Sequence, residues 1–474
     1  MITAGTLPLI IQGGMGVGVS GWRLARAVSA SGQLGVVSGT ALDTTLARHL
    51  QDGDPGGHLR RAMNAFPLQR VSQAALRLYF REGGRAAGEP YRLVPMYRQN
   101  VSIARQQLTV LANFVEVFLA KEGHHGVVGI NLLTKLQLPN LASLYGAMLA
   151  GVDYVLMGAG IPREIPAALD ALSENKIAVL RFDVVGQSSD QPLFISFDPI
   201  AVLDGHCTVA LKRPRFLAIV AAHSLATTLA RKSTGRIDGF VVEGPTAGGH
   251  NAPARGEAKL NELGEPIYGE RDVVDLEKIR ELGIPFWMAG GTGSPGELQL
   301  ALSEGAAGIQ TGTLFAYCDE SGFDNALKHS VLEGVKRCEV TVKTDPRASP
   351  TGFPFKIVEW PEHENGERLA RLCDLGYLRS AYAQPSGGIG YRCPAEPVAD
   401  YVRKGGDIED TVGRKCVCNG LVAAIGLPQT RQAGELEPAL VTSGNALLEI
   451  GDFLGSREHY SATEVLDYLL GGLH

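Results

Sequence analysis

The chain has 474 residues, 45% of them apolar and 20% charged, a composition that suits a large packed core. Forty-four basic against fifty acidic residues give a net charge of −6, which argues against a general nucleic-acid or anionic-membrane surface. No apolar run approaches the roughly 20 residues of a membrane span. The first strand is entered by Leu7, leaving no room for a secretion signal, and seven scattered cysteines read as reduced thiols of a cytoplasmic protein.

In chain order, Leu7–Gln12 reads as a buried strand ending in Gly13-Gly14-Met15-Gly16, and Gly21–Ser31 as a helix with one apolar face. Leu34–Ser38 is a second strand. The spacing then repeats: strand Val127–Leu132 and helix Leu138–Ala150, strand Tyr154–Met157 and helix Pro162–Asn175, strand Phe216–Val220 and helix Ser224–Lys232. Gly239–Val242 leads into a glycine-rich loop, and the short helix Leu276–Leu282 leads to strand Pro285–Met288. Helix Ser294–Glu304 and strand Gly308–Gln310 complete the set. Continuous apolar strands suit a parallel sheet covered on both faces. Eight of them separated mainly by helices predict an α/β fold, a closed (β/α)8 TIM barrel over residues 1–345.

Two excursions interrupt the count. Residues 51–126 form a helical insertion in which Val101, Ala104, Leu108, Leu111, Val115, Phe118 and Leu119 share a face, for covering the barrel or meeting a second subunit. Residues 177–212 read as an inserted β-hairpin around the polar turn GQSSDQ. From about residue 346 to 474 the pattern becomes a Pro-rich crossing and short helices, a mainly helical C-terminal extension packed on the barrel.

The stretch Pro285–Phe315 carries two glycine turns, at Gly290-Gly291-Gly293 and at Gly312-Thr313, each following a strand. Glycine lets backbone approach a ligand closely, and adjacent turns of this kind make a nest of N–H donors for a phosphate. Barrel enzymes often place a phosphate after strands 7 and 8. After strand six, EGPTAGGH displays His250 on a Gly-Gly backbone at the same barrel end, where a near-neutral imidazole suits proton transfer.

These segments resemble the nitronate monooxygenases, formerly 2-nitropropane dioxygenases, and the related flavin-dependent enoyl-acyl carrier protein reductases. The resemblance lies in Pro8–Gly16, Leu34–Gly39, Val128–Asn131, Gly158-Ala159-Gly160, Glu243–His250, Ala289-Gly290-Gly291 and Gly308–Phe315, in family order, with Thr341–Val358 resembling the segment after the barrel. It implies bound FMN, its phosphate against Gly290, Gly291, Gly312 and Thr313, its ring near Gly13, Gly14, Met15, Asn131, Ala247 and Gly248. His250 matches the catalytic histidine. The implied chemistry is oxidation of a nitronate or nitroalkane with O2; an NAD(P)H-dependent reduction of enoyl thioesters or quinones is the second reading. A flavin-binding accessory subunit of a larger synthase is a third, and a homodimer stays open. Strand five lacks the lysine that relatives often place near the flavin, so that contact is absent or falls to Arg181 or Lys212.

Cys373, Cys393, Cys416 and Cys418 in the extension are enough thiolates for zinc or an iron–sulfur cluster. Their spacings of 20, 23 and 2 residues match no ribbon or ferredoxin pattern, so unligated thiols and no metal are expected. Ser224 and Cys207 lack the strand–turn–helix context of a nucleophile elbow.

Overall fold

A computed structural model describes residues 7–188, 190–206, 209–257, 259–361, 363, 370–431 and 434–473; Cys207 lies outside them. Its strands are β1 (Ile10–Gln12), β2 (Gly35–Ser38), β3 (Val128–Leu133), β4 (Tyr154–Gly158), β5 (Ala178–Phe182), β6 (Val184–Val185), β7 (Leu193–Phe197) and β8 (Arg215–Val220). They continue as β9 (Gly239–Glu243), β10 (Phe286–Ala289), β11 (Gly308–Thr311), β12 (Thr341–Asp345), β13 (Phe355–Glu359), β14 (Ser380–Ala383) and β15 (Ile389–Arg392).

Eight of these form one parallel sheet in the order β1-β11-β10-β9-β8-β4-β3-β2. The ring closes through Leu34, just ahead of β2: its N–H donates to Ile10 O at 3.1 Å and its carbonyl accepts from Gln12 N at 2.9 Å. Side chains reinforce this short seam, with Gln33 Oε1 accepting from Ile10 N and Gln12 Oε1 from Val36 N. All eight expected strands are therefore present, and the fold is the (β/α)8 barrel. Ile11, Leu34, Val36, Leu156, Leu217, Val241 and Trp287 form their own buried cluster, separate from the larger core that includes the helices. Trp287 is fully buried and its indole N–H donates to Pro8 O at 2.7 Å, so the barrel floor is packed and polar-satisfied. Burial of each such aliphatic side chain contributes about 1.5–3 kcal/mol.

The first excursion contains the helices His58–Asn64, Gln69–Tyr79 and Ile103–Lys121. The last of these is buried nearly all round beyond Gln107, and it supplies the crossing helix between β2 and β3. It packs against the next barrel helix, Gln137–Leu149, so closely that a Cβ on Gly146 would collide with Val110 O. The face expected to cover the barrel is used within the chain, although Ala104 itself is exposed. A buried ion pair, Asp43 Oδ2–Arg105 Nη1 at 2.7 Å, anchors the helix, and Tyr377 of the extension donates to the same carboxylate.

The second excursion is the expected hairpin, with β5 and β7 antiparallel from Ala178↔Phe197 to Phe182↔Leu193. β6 leaves it to pair in parallel with β14, which pairs antiparallel with β15. The extension thus carries strands as well as the helices expected of it. β12 pairs antiparallel with β13, so strand pairing runs across residue 345. The helix Ala462–Leu470 opens on a Ser461–Glu464 capping box and ends the chain near the barrel, where Tyr460 Oη donates to Leu314 O at 2.7 Å.

Candidate active site

The strands of a barrel all deliver their following loops to one end, and here those loops enclose a cavity of about 220 Å³. Gly13, Gly14, Met15, Asn131, Ala247, Gly248, His250, Gly290, Gly291, Gly312 and Thr313 all line it. The eleven residues singled out in the sequence therefore meet in one place, from five different strands.

Local chemistry explains each wall. The turn after β1 is wound around Ser20, whose hydroxyl donates to Gly13 O and accepts from Met15 N, each at 2.9 Å. Gly14 has no alternative as glycine: a Cβ there would collide with the side chain of Asn131 on β3. The turn after β10 places Gly290 and Gly291 at φ of +86° and +73°, the left-handed region that favours glycine. Thr292 Oγ1 ties that turn to β11 by donating to Gln310 O at 2.7 Å. Helix Pro295–Ser303 then starts on a Ser294–Glu297 capping box.

The extension supplies a wall that no motif announced. Asn445 N donates to Thr246 O at 3.0 Å, Gly249 N to Thr442 Oγ1 at 2.9 Å and Gly444 N to Thr313 Oγ1 at 3.2 Å. Thr442, Ser443 and Gly444 thereby join the lining beside the glycine turns after β10 and β11. Phe355, Tyr377, Leu378 and Cys418 line it from the same extension.

His250 stands partly buried in this wall. Its Nε2 lies 2.7 Å from Ser349 Oγ, and its ring meets that of Phe355 edge-on at 4.8 Å. Ser349 Oγ is 2.9 Å from Thr351 Oγ1, to which Lys135 Nζ donates at 3.2 Å. Burial, with the charge of Lys135 adding to it, pushes the imidazole down to about 3. Burial likewise lowers the Lys135 ammonium to about 7. Glu243, at the end of β9 and on the cavity, is raised by burial to about 7. The imidazole is thus neutral at ordinary pH, with two groups nearby that change charge there.

Lys135 and Glu243 were missed in the sequence, although both sit directly after or at the end of a barrel strand. Neither stand-in suggested for the absent strand-five lysine lines the cavity. Lys212 Nζ pairs with Asp153 Oδ1 at 3.0 Å, and Asp153 precedes β4 at the opposite end of the barrel. Arg181 is exposed on the hairpin beside Asp183. The barrel's connectivity puts Lys135 on the correct end instead.

Residues 177–353 match the nitronate monooxygenase family. A probable nitronate monooxygenase of Staphylococcus saprophyticus is 31% identical over 150 residues, 31% of this chain and 39% of the relative. That part of the chain is similar to the nitronate monooxygenase family. Another probable nitronate monooxygenase, from Staphylococcus haemolyticus, is 27% identical over 156 residues, 33% of this chain and 42% of that one. The matches span about two fifths of the length of these curated relatives. Among solved structures, FabK from Thermotoga maritima shares 16% identity over 98% of this chain and 93% of its own, with a TM-score of 0.47. Nitroalkane oxidase from Streptomyces ansochromogenes shares 17% identity over 98% and 95%, with a TM-score of 0.43. The region matched to the family contains His250, Gly290, Gly291, Gly312 and Thr313. No helix among the described residues is long and apolar enough to cross a membrane.

Proposed function

We propose that the chain is an FMN-dependent oxidoreductase that oxidises nitronates with O2. The observation that carries this reading is the convergence of three glycine-built turns and His250 on one cavity at the loop end of the barrel. The residues fit such a cofactor: Gln310 lines the cavity with a buried Oε1 that has no hydrogen-bond partner among the described residues. Gly290, Gly291, Gly312 and Thr313 would hold the phosphate, and Gly13, Gly14, Met15, Asn131, Ala247 and Gly248 the ring. Bound FMN supplies the electron-accepting chemistry.

The protein's own part is charge and position. A general base works best with a pKa near the operating pH, and His250 at about 3 is far below it. Its neutral imidazole is suited to hydrogen-bonding the nitro oxygens of an already ionised nitronate, more than to deprotonating a neutral nitroalkane. Lys135, two hydroxyls away, supplies positive charge toward the same anion when protonated. Ser349 fixes the ring in place.

An NAD(P)H-dependent reduction of enoyl thioesters is the second reading, favoured by one feature. A groove of about 980 Å³ between the hairpin and the extension shares Leu136, Tyr377 and Leu378 with the cavity, room for a long acyl substrate. Oxygen uptake with propionate 3-nitronate by flavin-loaded protein supports the first reading. NAD(P)H consumption with an enoyl thioester and no nitronate turnover would replace it with the second.

A further inference from the structure

Cys373, Cys393, Cys416 and Cys418 reach one place from three separate segments of the extension. Cys373 lies ahead of β14, Cys393 just past β15, and Cys416 and Cys418 at the start of helix Val417–Ala423. All four line a small cavity, with Arg379 beside them. All four are free thiols, whereas Cys318 is buried elsewhere and Cys338 is exposed. Spacing along the chain had argued for unligated thiols; the fold removes that argument, because it assembles the set irrespective of spacing.

From this juxtaposition we propose that the four cysteines ligate an iron–sulfur cluster. Among the described residues no group of three His, Cys, Asp or Glu side chains stands so as to hold a metal ion. The space between the thiols, about 10 Å³, is close to that of one water. Atoms lining such a void stand back from its centre by more than the ~2.3 Å of a zinc–sulfur bond. Four thiolates set back around a void suit a polynuclear cluster better than a single ion.

The surroundings suit an anionic thiolate centre. Asn419 Nδ2 donates to Cys416 Sγ at 3.5 Å, the kind of contact that tunes a cluster sulfur. Arg379 lines the same cavity and adds positive charge beside the sulfurs. The neighbouring carboxylates are already engaged, Glu396 by Lys404 at 2.7 Å and Asp374 by Asn419 at 2.6 Å. Ligation releases the thiol protons, so binding at these buried sulfurs depends on pH. Val417, Leu378 and Cys418 line both this cavity and the main one, which puts the two centres one layer of side chains apart.

The test is an iron and labile-sulfide count on the full chain purified without oxygen, alongside an independent count of released FMN. About four irons and four sulfides per chain are expected, with an electron paramagnetic resonance signal after dithionite reduction. Cys393→Ser and Cys418→Ser should lose the iron, while Cys338→Ser keeps it. If those variants fail to fold, the unsubstituted protein still decides. Iron-free protein that takes up none from ferrous iron, sulfide and thiol under anaerobic conditions overturns the proposal, as does about one zinc per chain that Cys393→Ser removes. Because FMN is counted separately, a missing cluster and a missing flavin give different results.

Discussion

Nε2 of His250 lies 2.7 Å from Oγ of Ser349, a residue ninety-nine positions further along the chain. The bond joins the loop after β9 to the start of the extension, so the orientation of the histidine is set from outside the barrel. Ser349→Ala should lower kcat/KM for propionate 3-nitronate by about 10- to 100-fold, as small misplacements of reacting groups do. FMN content should stay unchanged. Full activity in the variant would show that the ring is held by Phe355 alone.

His250→Asn separates hydrogen bonding from proton abstraction. A hydrogen bond to a charged group is worth about 1.5–3 kcal/mol, so turnover of the nitronate should fall by about 10- to 100-fold. The neutral nitroalkane should lose a comparable factor. A loss confined to the neutral substrate would make His250 the base after all, despite an imidazole pushed down to about 3.

The pH profile follows from two groups that act in the same direction. As pH rises through about 7, Lys135 gives up its positive charge and Glu243 gains a negative one. The first removes an attraction for an anionic substrate and the second adds a repulsion, so kcat/KM for the nitronate should fall across that pH. Lys135→Met and Glu243→Gln should each remove part of the fall, and the double variant should be flat. A profile that rises through pH 7 would be incompatible with this assignment.

Flavin retention tests the glycine turns. Gly312→Val places its Cβ about where Gly312 already leaves only 3.1 Å to Met15 Sδ, and Gly291→Val forces a branched residue into φ of +73°. Both variants should release less FMN on denaturation than the unsubstituted protein. Equal FMN in both would move the phosphate elsewhere.

Stability should depend on Asp43. Burial pushes its carboxyl up, but the Arg105 guanidinium and hydrogen bonds from Tyr377, Arg105 and Thr109 hold it below the usual range. A depressed carboxylate contributes stability above its unfolded value, lost as pH falls through the folded one. Asp43→Ala leaves Arg105 buried and unpaired and should cost about 3–5 kcal/mol, read from denaturant unfolding.

Much of the barrel was legible because its strands are short apolar runs buried on both faces, such as Val36-Val37 and Val155-Leu156, and such runs repeat at helix-sized intervals. The glycine turns were legible because backbone approach leaves no other residue type; Gly14 against Asn131 is the clearest instance. The wall at Thr442–Gly444 was not, since three small residues held by backbone hydrogen bonds carry no pattern of their own. Lys135 was hidden for a different reason. Its lowered ammonium comes from burial, which depends on Phe353 and Thr351 arriving from the extension. Helix Ile103–Lys121 read as one-faced because polar Gln107, Thr109 and Asn113 conceal how completely it is enclosed.

The parallel pairing of β6 with β14 joins Val184 to Ala381, and the lining at Thr442–Gly444 comes later still. Chains emerge from the ribosome N-terminus first, and early segments fold ahead of late ones. The eight barrel strands are therefore all synthesised while the pocket still lacks a wall, and the hairpin's β6 waits for a partner about two hundred residues downstream. On the proposed reading, a nascent chain should hold FMN stably only once Thr442–Gly444 have been synthesised and docked. Premature termination between the barrel and β14 should yield a colourless product with an unpaired strand edge, prone to aggregation.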